Sequence, residues 1–105
     1  MNATMYRQGD VLIRRIDKLP GGERVEVAPV NGRVVLAEGE ATGHAHAVRA
    51  VGVALCMYGI QRILEVQRES VLEHEEHADI VLPPGNYEVV RQREYTPEAI
   101  RQVAD

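Results

Sequence analysis

The chain has no tryptophan, no phenylalanine and a single cysteine, Cys56. One cysteine excludes an intramolecular disulfide framework and any zinc finger built on thiolates. No run of eighteen apolar residues occurs, so a membrane-spanning helix is excluded. The N-terminal stretch from Met1 to Asp10 lacks a basic-then-apolar signal, and the expected location is the cytoplasm. Basic charge is also scarce. Twelve basic residues stand against sixteen acidic ones, a net −4. That balance favours solubility and argues against a nucleic-acid footprint. Walker, G-x-G-x-x-G, H-E-x-x-H and G-x-S-x-G motifs are all missing.

What is present is aliphatic. Fifteen valines and six isoleucines outnumber seven leucines three to one, a composition that suits strands. At 105 residues the chain is expected to form a single domain with one core. Glycine and proline punctuate it at Pro20-Gly21-Gly22, Asn31-Gly32, Gly39, Gly43, Gly59 and Pro83-Pro84-Gly85-Asn86. The β-branched runs between them predict strands at 10–16, 24–30, 33–37, 44–50, 51–58, 62–67, 70–74, 79–82 and 86–94. Asn31-Gly32 reads as a two-residue hairpin turn. Pro84-Gly85 suits the centre of a type II turn. Thr96, Pro97 and Glu98 read as cap, first position and first turn of a short closing helix. The expected fold is all-β, a small barrel or distorted sandwich with one short C-terminal helix. Cys56, after Leu55 in an apolar run, reads as a small buried hydrophobe.

Chemistry has few places to reside. All four histidines fall in two close pairs, His44/His46 and His74/His77. On a strand, positions i and i+2 share a face, so His44 and His46 are expected to converge. His74 and His77 could reach one ion if Glu75-Glu76 make a tight turn. Six acids lie between Glu65 and Asp79 against one base, Arg68. Imidazole suits zinc, iron, nickel or copper. Were residues 34–50 one extended strand, its even positions would line up Glu38, Glu40, Thr42, His44 and His46 between apolar ends. A bulge at Gly39 or Gly43 would flip that register.

A single histidine on a strand is usually a surface or satisfied core residue, and an acidic loop with histidines usually faces solvent. The acids also read as a charged edge that blocks strand pairing. The pairing of all four histidines tips the reading toward one divalent transition-metal ion, expected to be zinc, iron or nickel. His44 and His46 are the leading ligands and His74 and His77 the completers. Glu40 or Glu73 is expected as a carboxylate ligand or as a partner that fixes a histidine tautomer. An open coordination position would admit a small-molecule ligand; a closed shell would be structural. A second reading, from another class, is a homo-oligomeric interaction or assembly module with no metal site. A third places single-strand binding on Arg91, Arg93 and Tyr95.

Three segments carry a resemblance: Tyr6–Ile13 (YRQGDVLI), Glu38–His46 (EGEATGHAH) and the stretch from His74 to Tyr87 ending in LPPGNY. With the closing Arg91–Pro97, they resemble a family of small proteins of unassigned function associated with bacterial genomes and phages. The resemblance implies a coherent small domain and a phage-related context. The His-x-His strand also resembles that of cupins, which hold a metal inside a small barrel. Cupins place a glutamate soon after the second histidine and a Pro-x-Gly turn before the later one. Here Ala47-Val48-Arg49-Ala50 follow His46, and Pro83-Pro84-Gly85 follows His77.

Overall fold

The β-branched runs become strands, and turn residues set their ends. The computed structural model describes residues 4–39 and 43–92. Its strands are β1 (Met5–Gln8), β2 (Val11–Ile16), β3 (Arg24–Val27), β4 (Arg33–Glu38), β5 (Ala45–Arg49), β6 (Val53–Tyr58), β7 (Gln61–Val66), β8 (Ser70–Glu73), β9 (Ile80–Leu82) and β10 (Gly85–Arg91). They form two antiparallel sheets. One has six strands in the order β1-β2-β10-β7-β6-β3; the other has four, in the order β4-β5-β8-β9. No helix among the described residues is long and apolar enough to cross a membrane.

The all-β class agrees with the sequence. A closed barrel does not form, because each sheet keeps its own two edge strands. The Asn31-Gly32 turn shows why. It forms as expected, with φ of 52° and 75°, and Val30 and Arg33 exchange both backbone bonds at 2.8 and 3.0 Å. The ladder goes no further. β3 pairs instead with β6 of the six-stranded sheet. A turn that could have linked the two sheets by pairing therefore links them only by chain.

Two further expectations change. β1 was not anticipated, since Met-Tyr-Arg-Gln contains no β-branched residue; it pairs with β2 through the tight Gly9-Asp10 turn, Gln8 opposite Val11. Residues 34–50 are not one extended strand. β4 and β5 fold back as antiparallel neighbours, and the register shifts between Val35 and Ala37. The bulge thus falls at Leu36, and the glycines mark the reversal: Gly43 has φ of 83°, and the Gly39 N–H bonds the His44 carbonyl at 2.7 Å. Glu38 ends β4 exposed. Glu40 and Thr42 lie outside the described residues, as does the expected helix from Thr96.

One aliphatic core joins the sheets. Val11, Ile13, Leu64 and Tyr87 of the larger sheet pack with Leu36, Val48, Leu72 and Leu82 of the smaller. Full burial of each such side chain contributes roughly 1.5–3 kcal/mol. Cys56 lies with Tyr58 and Ile63 in a small second cluster. It is fully buried, as expected, and burial pushes its thiol up to about 11.

Tyr87 closes the core at the β9–β10 turn. The ring is fully buried, and its hydroxyl donates to the Pro83 carbonyl at 2.6 Å and accepts from Arg15 at 3.2 Å. Gly85 starts β10 with φ of 155°, so it opens the strand and is not the central residue of a type II turn. Tyr87→Phe keeps the apolar contact and removes both bonds. Urea denaturation should show a loss of about 1–2 kcal/mol with unchanged m.

Candidate metal centre

The two histidine pairs meet. His46 lies on β5, where alternation turns it with Val48 toward the inside; only 2 % of it is exposed. His44 stands just before that strand. His74 directly follows β8, and His77 lies in the loop before β9. The backbone N–H of Glu76 donates to His74 Nδ1 at 3.0 Å. That local bond makes the tight turn through Glu75 and Glu76 on which the second pair depends.

Both His44 and His46 touch His74, with ring centroids 5.8 and 4.3 Å apart. His77 lies 4.7 Å from His74 and 5.9 Å from His46. A ligating ring nitrogen sits about 2.1 Å from a zinc ion, which puts two ligating ring centroids ~5 Å apart at tetrahedral angles. The observed spacings fall around that value. The closest donor set is His44, His74 and Glu75, whose ligand atoms all lie within 4.8 Å of one another. His46 and His77 adjoin this trio through their ring contacts with His74.

The larger sheet supplies the floor through its β1–β2 turn. Gly9 there has φ of 59°, and a side-chain carbon on it would come 2.8 Å from His77 Nε2 and 3.3 Å from His46 Cε1. One on Gly39 would come 2.8 Å from His44 Cβ and 3.1 Å from His74 Nε2. The imidazoles thus occupy space that two glycines leave free. On either side of Gly9, Gln8 and Asp10 reach His46. Gln8 is buried; its Oε1 is 2.8 Å from His46 Nδ1, and its amide nitrogen donates to the carbonyls of Leu72 and Ala78 at 3.1 and 3.0 Å. Asp10 stands 3.8 Å from His46 Nε2 and accepts from Arg91 Nε at 3.0 Å.

The electrostatics keep the donors ready. Burial first, then the neighbouring His74, lowers the His46 pKa to about 4, with Asp10 pulling the other way. The ring is therefore neutral near pH 7. Glu75 accepts from the Ala45 N–H at 2.9 Å, and this backbone bonding holds its carboxyl below the usual range. His44 Nδ1 is buried without a hydrogen-bond partner among the described residues; the Glu76 carboxylate comes no nearer than 3.5 Å. An orphaned imidazole nitrogen beside a carboxylate and a second imidazole fits a cation-binding donor set. His74 is set differently. Its Nδ1 accepts a bond, so its neutral ring carries the proton on Nε2. An ion on either nitrogen must break the bond from Glu76.

Family comparison covers nearly all of this arrangement. The model of a family described as a domain of unknown function, DUF8820, matches residues 7–92. The chain belongs to this family. No curated protein and no solved structure matches the chain. The part shared with the DUF8820 family runs from Arg7 to Gln92, and so contains Gln8, Gly9, Asp10, both glutamates of the 74–77 turn and all four histidines.

Of the two carboxylates expected from sequence, only Glu73 lies among the described residues. Glu73 pairs with Ala47 and points to the opposite face of β8 from Leu72, where it lines a surface groove with Arg49, Arg68 and Asp79. Glu75 is the glutamate grouped with His44 and His74. The period-two rule would have removed Glu73, since His74 and Glu73 cannot share a face of a continuous strand. Glu40 lies outside the described residues. Gln8, Gly9 and Asp10 were missed as site residues; the clue was a glycine between two polar residues ahead of an apolar strand. Of the residues considered for single-strand binding, Arg91 bonds Asp10 and the Glu38 carbonyl, whereas Arg93 and Tyr95 lie outside the described residues.

Two predictions come from this geometry. Below about pH 6.5 the unfolded chain protonates His46 while the folded chain resists until about pH 4. Stability is fully present above that window and falls as pH drops through it, by roughly 2–3 kcal/mol. Urea titrations at pH 7 and 4.5 should show this loss, and His46→Gln should flatten it. Gly9→Ala should destabilise more than Gly43→Ala. Both have positive φ, costing about 1–2 kcal/mol each, but only Gly9 has imidazoles against it, while Gly43 faces open space.

Proposed function

We propose that this DUF8820 domain binds one divalent transition-metal ion, of the zinc, nickel or iron type, at the histidine cluster between its two sheets. The observation that carries the reading is the convergence of all four histidines, from segments about thirty residues apart in sequence, onto one donor-rich spot. His44, His74 and Glu75 supply a nitrogen-nitrogen-oxygen set, and the rings of His46 and His77 pack against His74 beside it. Such a borderline donor set prefers first-row transition ions to magnesium or calcium. Three protein ligands would leave a position for water or a small anionic or neutral ligand; four would close the shell. The domain's role then depends on which is filled, and the reading supports metal binding as its core activity.

Elemental analysis of untagged protein, followed by titration with zinc, nickel and ferrous iron, tests this. About one equivalent of metal is expected, with a higher Tm on loading. His44→Ala and His74→Ala should each weaken binding by at least tenfold, and the Glu76 amide resonance should shift on loading because its bond to His74 breaks. Substoichiometric metal with no thermal shift for any of the three ions would overturn the reading.

A further inference from the structure

Gln8 has one oxygen and one amide nitrogen, and both are committed. The nitrogen carries two hydrogens, and two carbonyls, those of Leu72 and Ala78, stand at 3.1 and 3.0 Å to receive them. Turning the amide over would set its oxygen against both carbonyl oxygens and exchange two attractive contacts for two repulsive ones. The orientation is therefore unique, and the atom facing His46 is an acceptor. An acceptor 2.8 Å from Nδ1 requires the proton on Nδ1. A neutral ring has only one such proton, so Nε2 keeps its lone pair. Asp10, an acceptor at 3.8 Å from Nε2, lies beyond hydrogen-bond reach.

The same side chain spans three pieces of the site. It rises from β1 of the larger sheet, bonds the ring on β5 of the smaller, and ties down Leu72 and Ala78, which bracket the segment bearing His74 and His77. Gln8 itself is 2 % exposed, so solvent does not substitute for these partners.

We propose that Gln8 is the positioning residue of the metal centre: it holds His46 in the tautomer that leaves its Nε2 lone pair free for an ion, and it fixes the loop that carries His74 and His77. This rests on the metal-binding reading above. Residues that orient a ligating imidazole through its second nitrogen typically change metal affinity by about 10–100-fold when removed. The arrangement also distinguishes the histidines. His46 is preset for an ion at Nε2, whereas His74 must give up a hydrogen bond.

The test reads the tautomer without metal and the affinity with it. Long-range proton–nitrogen correlation spectra of the metal-free full chain at pH 7 should show His46 protonated at Nδ1. Gln8→Met removes the acceptor at similar volume; it should mix the tautomers of His46 and weaken zinc binding about 10–100-fold while the amide spectrum stays dispersed. Gln8→Glu retains an acceptor and should keep the Nδ1 proton and lie closer to wild type in zinc affinity. A wild-type His46 protonated at Nε2, or a folded Gln8→Met that binds zinc as tightly as wild type, would overturn the proposal while leaving metal binding intact. If Gln8→Met does not fold, the wild-type and Gln8→Glu spectra decide it, with loss of the Nδ1 proton in Gln8→Glu counting against it. An Nδ1 proton in a wild type that takes up none of the three metals would overturn the metal reading, and the positioning role with it.

Discussion

The hydrogen bond between Gln8 and His46 is the contact on which the rest of the site depends. A polar side chain buried at the edge of an aliphatic core must find partners there, because burying an amide unpaired costs several kcal/mol. Gln8 finds three, and each belongs to the four-stranded sheet or the loop within it. An apolar residue at this position would pack the sheets together without dictating their register. The amide sets which loop lies over which strand, since its bonds are directional and the hydrophobic contacts around it are not.

The two-sheet architecture follows from where pairing stops. On one side of the Asn31-Gly32 turn β3 pairs with β6; on the other β4 pairs with β5, through a bulge at Leu36. Both sheets therefore keep free edges and pack through side chains such as Leu36, Leu64 and Leu72. A closed barrel interior would be lined on all sides by paired strands. Here the seam between sheets lets a tight turn, Gly9-Asp10, approach a strand and a loop from the opposite sheet, and the imidazoles gather at that seam.

Much of this was legible in the sequence, and the failures have physical causes. Nine of the ten strands were anticipated from β-branched runs and turn residues, and the burial of Cys56 followed from its neighbours. β1 was not visible because its pairing, and not its composition, makes it a strand. The histidines were legible as a group because so few other residue types compete for chemistry. That Glu75 would group with His44 and His74 was not, since it depends on where β8 ends. Gln8 was invisible for another reason. Its importance lies in satisfying groups far away in sequence, Leu72 and Ala78, and no local pattern records that.

The cluster is expensive without an ion. Below about pH 6.5 it keeps the buried His46 ring neutral where the unfolded chain would gain a proton, and it leaves His44 Nδ1 without a hydrogen-bond partner among the described residues. Neither feature helps the fold by itself: the first costs stability only in acid, the second by leaving a buried polar atom unpaired. A bound cation reverses the sign of each. A neutral ring is a lone pair ready to donate, an unpartnered nitrogen gains a ligand bond, and the Glu75 charge gains a counter-charge. Binding to the folded chain alone would add stability by mass action. Since His44, His46, His74, Glu75 and His77 all belong to the four-stranded sheet or its loops, an ion held by them would tie the start of β5 to the loop after β8 within that sheet, beside the turn from the other.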